Sequence, residues 1–240
     1  MSQIQSSIIQ RNDRATPQAA LHVEVIADLA CPFCYLGKRR LDSALEAVQG
    51  PHDVAWYPWE LNPEMPAGGQ PFDDYLASRF GSAEAVQPVL DGLVSEGRRE
   101  GIEFRFDRIE RVPNTLNAHR LMFLAETEGK DQTAIAEDLM SSFFTDGRDI
   151  GNTDVLIEVA SRHRLDAVQV EAALADDKAK QVVLTREAQV RSSGIAGVPG
   201  FLLNRRLFVV GAQDKDNLVN AFDRAMFGEG TDQLLSPAVH

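Results

Sequence analysis

Nowhere among its 240 residues does this chain string together the ~18 apolar side chains that a membrane-spanning helix requires. It also shows no internal repeat, and no low-complexity stretch between its two ends. Positive charge is in deficit, with 24 Lys and Arg against 36 Asp and Glu and a formal net charge of −12. That balance repels phosphate backbones and anionic lipid surfaces, which argues against nucleic acid and membranes as partners. The five histidines, His22, His52, His119, His163 and His240, are scattered without the spacing of a zinc site, so no metal centre is expected. Residues 1–20, broken by Arg11, Asp13, Arg14 and Pro17, lack the apolar core of an export signal. They are expected to be a loose or disordered tail on a cytoplasmic protein, with a second tail at 229–240.

Cysteine is as scarce as tryptophan, with two residues, which rules out a disulfide-stapled scaffold. Stability must come from a core, and 44% hydrophobic and 25% charged residues over this length allow one or two domains of ordinary globular make-up. The two cysteines are three apart, as Cys31-Pro32-Phe33-Cys34, a spacing that random placement in such a chain would give roughly once in 121 cases. A structural bridge over so short a ring adds little stability, and a zinc half-site has no second half. The spacing near a strand-helix-strand pattern favours a redox dithiol.

The surrounding pattern places that motif. His22 to Asp28 (HVEVIAD) reads as a short buried strand, followed by a helix from Pro32 to Val48 that Gly50-Pro51 stops. Pro32 suits a first turn. Val54 to Leu61 reads as a second strand, which Pro58 pushes toward a sheet edge. From 66 to 190 the periodicity is helical. Ala118, Leu121, Met122 and Ala125 form one apolar stripe, and Ala136, Leu139, Met140 and Phe143 another. Asn152 or Thr153 is placed to cap a further helix, and Asp166 with Gln169 offers a capping box. Strand character returns at Val198 to Leu203 and Leu207 to Val210 around the turn Asn204-Arg205, and Asp214 to Phe227 reads as a final amphipathic helix. The order β-α-β, helical block, β-β-α predicts an α/β thioredoxin fold, residues 21–65 and 191–228, interrupted by a large all-helical insertion, residues 66–190.

A cysteine that attacks disulfides must be stabilised as its anion, and Cys31 at a helix amino end is so placed. Cys34, one turn in and more buried, is then the thiol that resolves a mixed disulfide. Pro32 and Phe33 are expected to limit solvent around the pair. Pro199 opens a strand; a cis Val198-Pro199 bond would turn the Val198 backbone toward the sulfurs. Asp28 is a candidate proton relay for Cys34, or else a solvated loop cap. Lys38, Arg39 and Arg40 are expected to face solvent, and His119 to be a hydrogen-bonded structural histidine.

These segments resemble the DsbA-like thioredoxin-fold proteins, in the FrnE-like branch near kappa-class glutathione transferases and 2-hydroxychromene-2-carboxylate isomerases. The matching text runs from Asp28 through Cys31, Cys34 and Lys38 to Arg39. It continues with Leu61-Asn62-Pro63, Asn114-Thr115 with Ala118-His119-Arg120, and Gly197-Val198-Pro199 through Gly211-Ala212-Gln213. The resemblance implies a cis bond before Pro199 and thiol-disulfide oxidoreductase activity on protein disulfides, with no tightly bound cofactor and a monomeric or homodimeric state. It also implies that glutathione is a possible co-substrate, with Val198 pairing to its backbone, Asn62 in the binding region and Gln213 or Asp214 at its γ-glutamyl end. The competing expectation is a glutathione-dependent transferase or isomerase of small aromatic or polyketide-like molecules. In those relatives a serine usually stands at the first cysteine position and the second is usually absent. A site with a potential of about −120 mV against a cytosolic poise near −220 mV would be held reduced by roughly 4.6 kcal/mol. The expected resting form is therefore the dithiol, in a reductase or isomerase.

Overall fold

The computed structural model describes residues 21–228, so the expectations for both tails fall outside the described residues. Strand β1 (Leu21–Ala27) leads to helix α1 (Pro32–Leu45) and strand β2 (His52–Pro58). After the insertion come β5 (Gly200–Leu203), β6 (Leu207–Val210) and α9 (Lys215–Phe227). The sheet order is β2-β1-β5-β6, with β2 parallel to β1 and the other neighbours antiparallel. Side chains alternate between its faces, as the two-residue period requires. Val23, Val25, Trp56, Phe201, Leu203, Leu207 and Val209 join the core that contains Leu36, Leu41, Leu218 and Phe222 of α1 and α9. Ile26, Ala55, Tyr57 and Leu202 pack with Trp59 and Val190 in a second cluster.

The sequence expectations meet the structure with shifts at the ends. The first helix stops at Leu45, and its last residues pass into i→i+3 turns in which Ala47 N–H donates to Ala44 and Val48 N–H to Leu45. The second strand begins two residues earlier than its apolar pattern, because His52 and Asp53 pair with Leu21 and His22, and ends at Pro58. Pro58 lies on an edge strand, where a missing donor costs nothing. Asn204 and Arg205 adopt positive φ, 47° and 55°, closing the β5–β6 hairpin.

Between β2 and β5 lie α2 (Phe72–Phe80), α3 (Ala83–Arg99), α4 (Leu116–Thr127), α5 (Gln132–Phe144), α6 (Thr153–Arg162), α7 (Ala167–Ala175) and α8 (Asp177–Ser192). Asn152 caps α6, and the Asp166–Gln169 capping box opens α7. Both apolar stripes are buried. The insertion is not purely helical, however. A two-stranded ladder joins β3 (Gln70–Pro71) to β4 (Arg111–Val112), segments too short to show any alternation.

The insertion grips α1 through charge, which corrects the expectation that Lys38, Arg39 and Arg40 face solvent. Glu137 of α5 accepts from Tyr35 Oη, Lys38 Nζ and Arg39 Nη2, each at 2.6 Å, and Lys38 is buried. Arg40 reaches Glu96 of α3 at 2.6 Å, Glu100 at its carboxyl-end cap at 2.9 Å and the Ala212 carbonyl at 2.6 Å. Tyr35 also packs edge-on against Phe104, centroids 5.9 Å apart. Removing the shared acceptor leaves buried donors without it, so Glu137→Ala is expected to lower stability by roughly 2–4 kcal/mol in urea titrations.

At the start of β1, His22 Nδ1 lies 2.5 Å from Asp53 Oδ2 and Nε2 3.1 Å from Glu24 Oε1. The hydrogen bond to Glu24, aided by Asp53, lifts the imidazole above its ordinary value of 6.5 against opposing burial. A raised folded-state value stabilises fully below pH 6.5, and that contribution is lost as pH rises through the folded value. Thermal melts of His22→Gln should therefore lack a stability loss that wild type shows on going from mildly acid to alkaline pH.

Candidate dithiol site

β1 ends at Ala27, and a tight connection brings Cys31 to the amino end of α1 as its N-cap, φ −100° and ψ 116°. Cys31 N–H donates to the Asp28 carbonyl at 3.3 Å, while its own carbonyl accepts from Cys34 N–H at 3.0 Å and Tyr35 N–H at 3.2 Å. Pro32 follows at the first helical position, where it loses no hydrogen bond. The two sulfurs are free thiols in contact. Both are buried, Cys31 at 3% and Cys34 at 1% exposure, whereas Phe33 between them is 46% exposed. Phe33 thus presents an apolar surface beside the pair rather than covering it. Burial, and then the neighbouring Cys31 sulfur, hold the Cys34 thiol well above its ordinary range.

The Val198-Pro199 bond is cis. Pro199 packs against α1 at Gly37, three residues beyond Cys34, and its carbonyl accepts from Gly211 N–H at 2.8 Å. Val198 itself precedes β5 and sits partly buried against the core. Gln213 and Asp214 follow β6. Gln213 Nε2 donates to the Val210 carbonyl at 2.7 Å, and Asp214 caps α9 by accepting from Asn217 N–H at 2.8 Å. Both side chains are therefore engaged in the local turn and cap.

Asp28 is no solvated cap. Its carboxylate is buried, accepting from Leu61 N–H at 2.7 Å and Ala30 N–H at 3.2 Å, and its backbone touches the Cys34 thiol. Asn62, next to Leu61, approaches Tyr75 Oη at 3.4 Å, and Asn114 ties the same loop to α4 by donating to the Met65 carbonyl at 2.8 Å. His119 is buried from α4 with Nε2 unpartnered, 3.8 Å from Asp28 Oδ1. Its ring hydrogen-bonds the Trp59 backbone, as expected of a structural histidine, and burial lowers its pKa below the ordinary 6.5.

Three residues with no local sequence signal complete the surroundings, namely Glu60, Glu187 and Arg191. Glu60 N–H donates to Glu187 Oε1 at 2.8 Å, and Arg191 donates to Glu187 and to the Glu60 carbonyl while stacking 4.0 Å over the Trp59 ring. Among the described residues no cluster of His, Cys, Asp and Glu has the arrangement of a metal site. None of the helices there is long and apolar enough to cross a membrane.

The family model of the DSBA-like thioredoxin domain matches residues 22–223. A probable DsbA oxidoreductase from Streptomyces coelicolor is 32% identical, superposes with a TM-score of 0.78, and the match covers 91% of this chain and 94% of that one. Two more distant structures share the fold. One is a 2-hydroxychromene-2-carboxylate isomerase, 14% identical with a TM-score of 0.64 over 85% of this chain and 95% of that one. The other is the cytosolic disulfide reductase DsbM from Pseudomonas aeruginosa, 18% identical with a TM-score of 0.58 over 85% and 95%, also solved with GSH.

The contact of α1 with Pro199 has a direct test. A Cβ at Gly37 would lie 2.8 Å from Pro199 Cγ and 3.3 Å from Phe201 Cζ. Overpacking of about 1–3 kcal/mol, offset by about 1 kcal/mol of helix propensity, should leave Gly37→Ala less stable than wild type in chemical denaturation.

Proposed function

The chain belongs to the DsbA-like thioredoxin family, and from that membership we propose that it exchanges thiols and disulfides through Cys31 and Cys34. The observation that carries this reading is the pair of free, touching thiols at the amino end of one helix, the inner one held protonated by burial. The open first turn and the helix dipole favour negative charge on Cys31, which attacks a substrate disulfide. A bond forms between Cys31 and one substrate sulfur, and the other leaves as a thiolate. Cys34 then attacks Cys31, releasing the second substrate sulfur and leaving an internal disulfide.

The exposed Phe33 beside buried sulfurs supports protein disulfides as substrates, since an unfolded segment brings apolar side chains to that surface. Glutathione is proposed as the small-molecule partner, and reduction in the cytoplasm as the direction. Retention of Cys34 weighs against the isomerase alternative, whose chemistry needs no resolving thiol.

Replacing Cys34 with serine separates these readings. Insulin reduction is expected to fall to background while a mixed disulfide accumulates on Cys31, visible as an adduct in non-reducing mass spectra. Undiminished insulin reduction would sink the dithiol mechanism. Glutathione-dependent turnover of a small aromatic substrate that survives the change would favour the isomerase.

A further inference from the structure

Strand β2 is an edge of the four-stranded sheet, and its outer side is closed over part of its length. Along a strand, the backbone groups of successive residues face opposite sides. Leu21 N–H donates to the Pro51 carbonyl, so the odd-numbered residues turn toward β1 and the even-numbered ones turn out. At Trp56 the outward N–H donates to Gln132 Oε1 at 3.3 Å, and Pro58 has no N–H to offer. Val54 is left open. Among the described residues no hydrogen bond engages its outward N–H or C=O, and from Ala55 back to His52 the strand passes from buried through half-buried to exposed.

Val54 opens onto a groove of about 470 Å³ between the carboxyl end of α1 and the amino end of α5. Leu45 and Val54 give it apolar surface, and its charge is negative. Asp42 and Glu46 come from α1 and its cap, Asp53 from the strand and Asp131 from the cap of α5. Lys38 lies 2.6 Å from Asp42 and His22 2.5 Å from Asp53, whereas Glu46 and Asp131 have no ion pair among the described residues. An open edge is a template for a further strand, and the side chains beside it decide which strand fits. Val54 and Trp56 point into the core that contains α1, so an added strand carries every second side chain to the face where α1 bears Asp42 and Glu46. Lysine or arginine at those positions meets opposite charge, and glutamate meets like charge. A second copy of this chain is a poor occupant, because each copy carries a formal charge of −12.

We propose that the outer edge of β2 is a docking site for an extended segment of another protein with lysine or arginine at alternate positions. The segment joins the sheet as a fifth strand, pairs with the N–H and C=O of Val54, and sets its cationic side chains among Asp42, Glu46 and Asp131. The dithiol lies beyond the opposite end of β1, roughly 20 Å away. Docking therefore holds a partner without occupying the sulfurs, and the proposal stands independently of the exchange chemistry.

Hydrogen exchange and fluorescence anisotropy on the full chain test this, with a labelled peptide of alternating lysine and valine as the probe. In the free protein the Val54 amide should exchange rapidly. The probe should slow that exchange and leave the alkylation rate of Cys31 unchanged. A Val54 amide already protected without the probe means that another part of the chain holds the edge, or a second copy if protection rises with protein concentration; either result overturns the proposal. A peptide of alternating glutamate and valine should not bind. Methylating the backbone amides of the lysine peptide should abolish its binding, since a strand without N–H donors cannot pair with Val54. Glu46→Lys should weaken the lysine probe by about tenfold at low salt. Glu46 is the carboxyl-end cap of α1, where the helix dipole favours a cation, so this variant is expected to fold. No binding of the lysine probe, equal binding of the glutamate peptide, binding that survives methylation, or an affinity unmoved by Glu46→Lys each overturns the assignment.

Discussion

Helix α1 is held from two sides, and the position of both sulfurs depends on that grip. One side presents Tyr35, Lys38, Arg39 and Arg40 to carboxylates of the insertion. The other presents Gly37, bare enough for Pro199 to lie against the backbone. Neither contact involves the cysteines, yet each limits where the amino end of the helix can sit. A side chain at position 37 would push the helix off Pro199, and without the insertion's carboxylates Lys38 would keep only Asp42 of its own helix, 2.6 Å away, as a partner. The insertion is therefore part of the framework that places the thiols.

Charge is buried in two contrasting ways in this fold. Around Glu137, three donors converge on one carboxylate, and the hydrogen bonds outweigh the effect of burial so that its pKa is lowered. Around Glu60 the carboxyls outnumber the cations, and the pKa is raised. The first arrangement suits a fixed structural tie, since its protonation does not change near neutrality. The second suits a group that exchanges protons, because little separates its two states at physiological pH. Burial raises both; at Glu137 the donors overcome it, while at Glu60 the neighbouring carboxyls add to it.

Much of this architecture was legible from local pattern. The short buried run HVEVIA, the stripes through Leu121 and Leu139, the capping box at Asp166 and the turn at Asn204-Arg205 each depend on a few neighbouring residues, and each appears where the pattern places it. Less legible were features decided across the chain. Lys38 and Arg39 look like a solvated face until Glu137, about 100 residues away, is brought against them, and Arg40 until Glu96 and Glu100 are. The β3–β4 ladder has two residues a side and leaves no period to detect. Asp28 had a candidate role, but its burial was invisible, and Glu60 had none.

By itself the sequence determined that two sulfurs stand one helical turn apart at the start of a helix, inside an α/β frame interrupted by helices. Those are consequences of spacing and periodicity, which act over a few residues. Tertiary structure alone decided which charges lose their water and whom they meet. Glu60 and Glu187 are 127 residues apart and become partners when α8 packs beside the end of β2. Desolvation and Coulomb forces depend on distance in space, and no local pattern encodes that distance.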